Sequence, residues 1–343
     1  MPASLTVQDW QKVSRLAVRH RVSGWLLRAA SRPGGASLLE PRCAEVLLAD
    51  VLQSAMKALS LDSVLEEMIL GLQAIGVQVM VLKGATIATR YYPDAALRPY
   101  NDVDLLVPLG AWSVVDSTLR SKGYGVLDDH GGVESATPNT FETPFEITYA
   151  HGETGLKVDV HFDQLQIGLR PRSLDSLWDR AQAFTVGRAT AGTPQLDDLC
   201  LLLLVHLQRH GFERLIWFKD LDLILRRHEA EFAWDKLTLA ARDEGVANSV
   251  RYGLHLLKAL FDTPLPDATL LDRELTRVSL LDQVLWREAR ILDLDTRPLR
   301  LRRLIQFIPR EGLRGSLPSL VFMGRKGDKL SALVKRHLRI SKH

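Results

Sequence analysis

Two changes of texture divide this chain and limit what it can fold into. Up to Gly76, and again beyond Leu196, apolar residues recur at three- and four-residue spacing, the period of amphipathic helices. Between them the apolar residues run continuously or alternate, as in buried or half-buried strands. This order predicts an α+β fold: a small mixed β-sheet over 77–190, flanked by an N-terminal helical region (1–76) and a C-terminal helical domain (191–343). At 343 residues the chain exceeds a comfortable single core, which fits more than one compact unit.

Helical spacing covers 4–19 and 22–30, then stops at Arg32-Pro33-Gly34-Gly35. A longer pattern over 41–75 ends at Gly76, where a helix C-terminus favours glycine. A β-rich run at 77–82 is closed by Lys83-Gly84, followed by a short helix at 85–92, a strand at 101–107 and a helix at 111–122. Gly123-Tyr124-Gly125 reads as a turn into a polar loop at 128–143, long enough to serve as a lid or substrate loop. Alternating segments at 144–150 and 156–162 flank His151-Gly152-Glu153-Thr154-Gly155, a hairpin signal. Further helices are expected at 196–210, 213–228, 234–244, 247–261 and 268–292.

The chemistry concentrates in Asn101-Asp102-Val103-Asp104-Leu105-Leu106-Val107. On a strand, alternate residues share a face, so Asp102 and Asp104 point one way and Val103, Leu105 and Val107 the other. Adjacent carboxylates on one strand face repel each other, and a cation between them removes that penalty. Mg²⁺ takes one or two carboxylates together with phosphate oxygens. The bland reading is a solvated edge strand. In the second hairpin strand, Lys157, Asp159, His161 and Asp163 share one face and Val158, Val160 and Phe162 the other. A third carboxylate at Asp159 would complete a two-metal phosphoryl-transfer set, with Asp163 and Glu146 as rivals nearer the strand ends. At Lys83-Gly84 a strand hands over to a helix, a turn whose free N–H groups favour phosphate and where glycine lets the backbone approach closely. No Walker A sequence occurs.

Leu82-Lys83-Gly84, Tyr91-Tyr92-Pro93-Asp94, Arg98-Pro99, the segment Asp102 to Val107 and Val158-Asp159-Val160-His161 together resemble the polymerase-β-type nucleotidyltransferase superfamily. More narrowly, they resemble an uncharacterised nucleotidyltransferase family with an L-K-G … Y-P … R-P-x-x-D-[IV]-D-L-L-V signature. Ala17-Val18-Arg19-His20-Arg21-Val22 and Leu215-Ile216-Trp217-Phe218-Lys219-Asp220-Leu221 are also of that family's type. The resemblance implies transfer of a nucleoside monophosphate from an NTP such as ATP, with two Mg²⁺ (or Mn²⁺) ions and pyrophosphate release. It implies metal binding and catalysis by Asp102, Asp104 and Asp159. Nucleotide binding would fall to Lys83, Gly84, Thr86 and Arg98. His161, two residues beyond Asp159 on the same strand face, is a candidate to orient a carboxylate or contact phosphate, or else a plain hydrogen-bonded histidine. Asp220 would be a candidate on the acceptor side. The sequence departs from the superfamily at Ala85, where a serine usually follows the glycine. Lys83 or Thr86 would then serve the triphosphate, or the chain would be an inactive nucleotide- or partner-binding module. Arg98 has a competing role as an ion-pair partner of Asp102 or Asp94, and Asp220 as a helix-surface partner of Arg214, Arg226 or Arg227.

Composition narrows the partners. Residues 296–343 carry 13 Lys plus Arg against 2 acids, whereas the first 295 residues hold 31 basic and 39 acidic groups. A basic tail on an acidic body suits an anionic partner or a solvated tail. It is the one argument for an RNA acceptor, because no nucleic-acid motif and no aromatic stacking platform accompany it. The resemblance favours a small-molecule or peptide acceptor. Cys43 and Cys200 alone cannot build a zinc ribbon or a disulfide scaffold and fit a reducing cytoplasm. No apolar stretch has the length of a membrane span. His206 and His210 lie four apart, a metal-like spacing without a third ligand, so helix packing is the expectation for them.

Overall fold

The computed structural model describes residues 6–31, 39–127, 133–134, 146–163, 165 and 174–266. The expected 268–292 helix, the basic tail and most of the 128–143 loop lie outside them.

Thr6 and Asp9 open the chain's first helix with a reciprocal capping box, which fixes α1 at Val7–His20. A second helix, α2, follows at Ser23–Ala30. Glu40 caps α3, Pro41–Ala74, by accepting from the Cys43 N–H, with Pro41 in the first turn where its missing N–H is harmless. At the far end Gly76 takes a positive φ, and the N–H of Val77 returns to the Leu72 carbonyl at 2.9 Å. Leu61, Leu65, Met68, Ile69 and Leu72 of α3 enter one core with the apolar face of the sheet.

Among the described residues that sheet has eight strands: β1 (Met80–Val81), β2 (Asp102–Leu106), β3 (Tyr124–Leu127), β4 (Val133–Glu134), β5 (Glu146–His151), β6 (Lys157–His161), β7 (Gln182–Val186) and β8 (Ala189–Thr193). Their order is β4-β3-β5-β6-β2-β1-β8-β7. β2 pairs in parallel with β6, and β1 in parallel with β8; the other pairings are antiparallel. The sheet is therefore mixed, with the β2–β6 pair near its middle. The helices α4 (Ala85–Tyr91), α5 (Trp112–Ser121) and α6 (Asp175–Asp179) connect it.

Three local differences from the sequence reading have physical causes. The expected strand at 77–82 contributes two ladder residues, although the Leu82 N–H still donates to the Asp104 carbonyl at 3.1 Å. Gly123 alone makes the turn read at 123–125, so the buried Tyr124 begins β3. The β7–β8 hairpin was not placed from sequence. Its turn residue Gly187 has φ 54°, and a side chain there would run into the Glu66 carboxylate, which accepts from both the Arg188 N–H and its Nε at 3.0 Å.

The described residues fall into two compact units. The first holds α1 to α6, the sheet and 214–216. The second, 196–213 and 217–266, is helical. It contains α7 (Leu196–Arg209), most of α8 (Leu215–Arg227), α9 (Trp234–Asp243) and α10 (Ala247–Phe261). Phe212, Phe218 and Phe261 stack within it at centroid distances of 6.2 and 6.4 Å. Among the described residues no helix is long and apolar enough to cross a membrane.

Candidate active site

The two central strands set the site. Val103, Leu105, Val158 and Val160 enter the core on one face, which forces the intervening polar residues to the other. The parallel register places Asp102 opposite Lys157, Asp104 opposite Asp159 and Leu106 opposite His161. Asp104 and Asp159 are therefore cross-strand neighbours, with Asp102 one step along the same face.

Their environments differ. Asp104 is 2% exposed, and its Oδ1 receives Lys83 Nζ at 2.6 Å and lies 3.0 Å from His161 Nε2. Burial alone would raise the pKa of Asp104; the Lys83 charge and the His161 hydrogen bond outweigh it and hold the carboxyl well below the usual carboxylate range. Burial and the charge of Asp104 raise Asp102, against the opposing pull of Lys83, Arg98 and Arg21. Asp159 is pushed up to about 7 by burial and by Asp104 and Asp102, and its Oδ1 is buried with no hydrogen-bond partner. Burial works to lower Lys83, yet the surrounding acids carry it above its usual value. Lys83 and His161 thus answer Asp104, while Asp159 keeps a buried oxygen with no partner.

The residues read as nucleotide-binding lie on the segment that links β1 to β2. Gly84 caps α4 with φ 70° and ψ −108°, a conformation that suits only glycine, and no side chain caps the first turn. Thr86 is buried, and its hydroxyl has no partner. Ala85 packs in the apolar core. Arg98 is buried at the end of the Ala95–Leu97 turn, where its charge lowers Asp102; the carboxylate of Asp94 accepts from the Ala96 N–H of that turn. Of the rival acids, Asp163 accepts from the Leu165 N–H, while Glu146 pairs with His161 across β5 and β6.

The donor set suits a hard divalent cation: all-oxygen ligands, with one carboxylate oxygen buried without a partner. It is not a preformed cage. Among the described residues no group of three or more His, Cys, Asp and Glu side chains is gathered to hold a metal, and Lys83 Nζ lies against Asp104.

The family described as "Uncharacterised nucleotidyltransferase" matches residues 6–262. The chain belongs to that family. Two solved structures are similar to this nucleotidyltransferase-family chain. The antibiotic-resistance factor ANT(2'')-Ia has 8% identity and a TM-score of 0.31, over 60% of this chain and 92% of that one. An antigenic nucleotidyltransferase-like protein from Paracoccidioides brasiliensis has 12% identity and a TM-score of 0.35, over 59% of this chain and 96% of that one. No curated protein is similar enough to this chain to count as a match.

Two further candidates of this nucleotidyltransferase-family chain lie in its helical unit. Asp220 is 0% exposed, so it is buried within the helical unit rather than on the helix surface. Its neighbour Asp222 holds ion pairs with Lys219 and Arg226. His206 and His210 sit with centroids 4.4 Å apart, both against Trp217 at 4.9 and 5.1 Å, which is the aromatic packing expected of them. Sequence reasoning missed two cations that act on Asp102, Arg21 at the end of α1 and Lys57 on α3. Arg21 lies in a segment already of the family's type; nothing in the sequence marks Lys57.

Proposed function

We propose that this chain transfers a nucleoside monophosphate from an NTP to an acceptor hydroxyl or phosphate, releasing pyrophosphate. The observation that carries the reading is the row Asp102, Asp104 and Asp159 on one face of two parallel central strands, with one Asp159 oxygen unpartnered. Asp102, Asp104 and Asp159 would hold two divalent ions, Mg²⁺ or Mn²⁺. Such ions, when bound, polarise the phosphates and lower the pKa of the attacking group.

The chain's own residues supply the rest. Lys83 and His161 keep Asp104 ionised and fix its orientation. Asp159, when ionised, takes up the proton that the acceptor loses as its oxygen attacks the α-phosphorus. The bond from that phosphorus to the bridging oxygen breaks, and its electron pair leaves with pyrophosphate. Gly84 lets backbone approach the triphosphate, and the Thr86 hydroxyl and the Arg98 fork are donors for it. Positioning and charge neutralisation account for the acceleration. A small molecule or peptide is the acceptor class that goes with this reading.

A second reading, a nucleotide- or partner-binding module without turnover, draws on Ala85 in place of serine and on the Lys83 contact with Asp104. One experiment separates the two. The protein is incubated with Mg²⁺, each labelled NTP and cell extract, and products are read by mass spectrometry. Turnover adds the mass of one nucleoside monophosphate to an acceptor and yields pyrophosphate. Metal-dependent NTP binding without any such product leaves the module. If neither occurs, and Asp102→Asn with Asp104→Asn melts like wild type with and without Mg²⁺ and NTP, the acid row has no metal role.

A further inference from the structure

The helix α3 carries apolar residues on two opposite faces. Leu47, Leu61, Leu65 and Met68 lie on one and are buried against this chain. Leu48, Leu52, Met56 and Leu59 follow one another at steps of four, four and three residues, which places them in a single row on the other. These four are 52%, 56%, 70% and 70% exposed, and Val46 beside them is 53% exposed. Among the described residues no other helix has more than one large apolar side chain so exposed. Every exposed position of α3 from Val46 to Ser63 is also uncharged, with Ala49, Gln53 and Ser60 between the apolar ones. A helix that is apolar all round is one that gets covered on both sides. A contiguous apolar row without charge is the composition of an interface centre rather than of a solvated face.

We propose that this row is the contact of a homodimer, in which α3 of one copy lies antiparallel on α3 of a second copy across a two-fold axis near Ser54. The inference does not depend on the nucleotidyltransferase reading. The row is self-complementary in that direction: Leu48 meets Leu59 of the second copy, and Leu52 meets Met56. The same register carries Arg42, exposed in the first turn, to Glu67 of the second copy. Although bonded to Lys122 at 2.6 Å, Glu67 keeps 55% of its side chain exposed. A parallel pairing would set Arg42 against Arg42 and Glu67 against Glu67, which like charges disfavour. The contact from 42 to 67 is about 38 Å long at the helical rise per residue. Two helices packed over that length at about 8–10 Å between axes bury on the order of 1,000 Å² in total, the lower bound for a specific interface. A reversible dimer of micromolar affinity fits that size.

Sedimentation velocity of the full chain from about 1 to about 100 µM tests the contact. Wild type should pass from monomer to dimer over that range. Leu52→Glu and Met56→Glu should each weaken association at least about tenfold and melt within a few degrees of wild type, because both side chains already face water. Leu239→Glu, at an exposed apolar position of α9, should associate as wild type does. Arg42→Glu and Glu67→Arg should each weaken association about threefold, and the double variant should restore it. This charge swap carries the test if the row variants misfold. A monomer throughout the range overturns the proposal, as does a dimer that Leu52→Glu leaves unchanged. Residues 267–343 of this chain are the rival occupant. A Met56→Cys variant that stays monomeric and is joined to that segment by a short cross-linker assigns the row to it and ends the dimer.

Discussion

Two buried acidic positions in this chain have opposite electrostatic fates. In the helical unit, Asp222 is 1% exposed, and its oxygens accept from Lys219 Nζ at 2.8 Å, Arg226 Nε at 2.7 Å and Thr263 Oγ1 at 2.8 Å. Two cations and a hydroxyl answer one carboxylate, and the result is a closed structural joint. On the sheet, Lys83 and His161 both bond Asp104, and an Asp159 oxygen remains without a partner. Burying charge without full compensation costs free energy, and a fold keeps such a deficit where a ligand makes it good. The contrast separates an acid that holds the protein together from acids that wait for something else.

Asp159→Asn gives the largest effect that can break this contrast. It removes like-charge repulsion, so the metal-free protein should melt a few degrees higher while nucleotidyl transfer falls by at least about a hundredfold. Calorimetric melting and labelled-product assays read the two sides. A variant that loses stability and keeps activity would make the sheet acids ordinary structural residues. Asp222→Ala should behave in reverse. It leaves Lys219 and Arg226 without their acid and should lower stability by about 2–3 kcal/mol, below the cost of breaking a fully buried pair because Arg226 reaches solvent. Denaturant titration measures this loss, and transfer per folded molecule stays near wild type.

How much of this was open to sequence reasoning follows from range. The alternation of Asp102, Val103, Asp104 and Leu105 is local, and so is that of Val158, Asp159 and Val160; both faces were legible because strand period two admits no other arrangement once one face is apolar. The long helix α3 was legible almost to the residue, since Pro41 and Gly76 punctuate it. Contacts across the register were not. That Lys83 bonds Asp104 depends on β1 running antiparallel to β2, which no spacing announces. The β7–β8 hairpin escaped because Ala189, Ala191 and Gly192 carry too little β-branched or aromatic weight to stand out. The buried setting of Asp220 depends on helix packing, and the charged residues around α8 point equally well to a surface pair.

A pH series sharpens the comparison with a smaller effect. Asp159 binds its proton more tightly folded than unfolded, since its pKa is about 7 in the fold. Its contribution to stability is therefore present below the ordinary carboxylate range of about 4 and is lost as pH rises to about 7. Asp104, lowered in the fold, acts oppositely and gives up its contribution only as the solution becomes strongly acidic. The metal-free melting temperature should decline between mildly acidic and neutral pH, and Mg²⁺ or Mn²⁺ should restore more of it at pH 8 than at pH 5. Asp159→Asn should flatten that slope. An equal slope in variant and wild type would place the deficit elsewhere.

The smallest expected effect concerns Ala85, the residue that departs from the superfamily's glycine–serine turn. Its side chain lies in the apolar core shared by the sheet and α3, not among the polar atoms of the acid row. A serine at this position therefore buries a hydroxyl among hydrocarbon, while the unpartnered hydroxyl of the neighbouring Thr86 is already present. Ala85→Ser should lower stability by about 1 kcal/mol and change NTP affinity by less than about threefold. Thr86→Val, of similar shape, should leave the fold intact and weaken NTP binding more than Ala85→Ser does, as measured by nucleotide titration of both variants. If the serine instead tightens NTP binding strongly, the turn does present position 85 to phosphate, and the departure at Ala85 is a loss of function rather than a choice made by core packing.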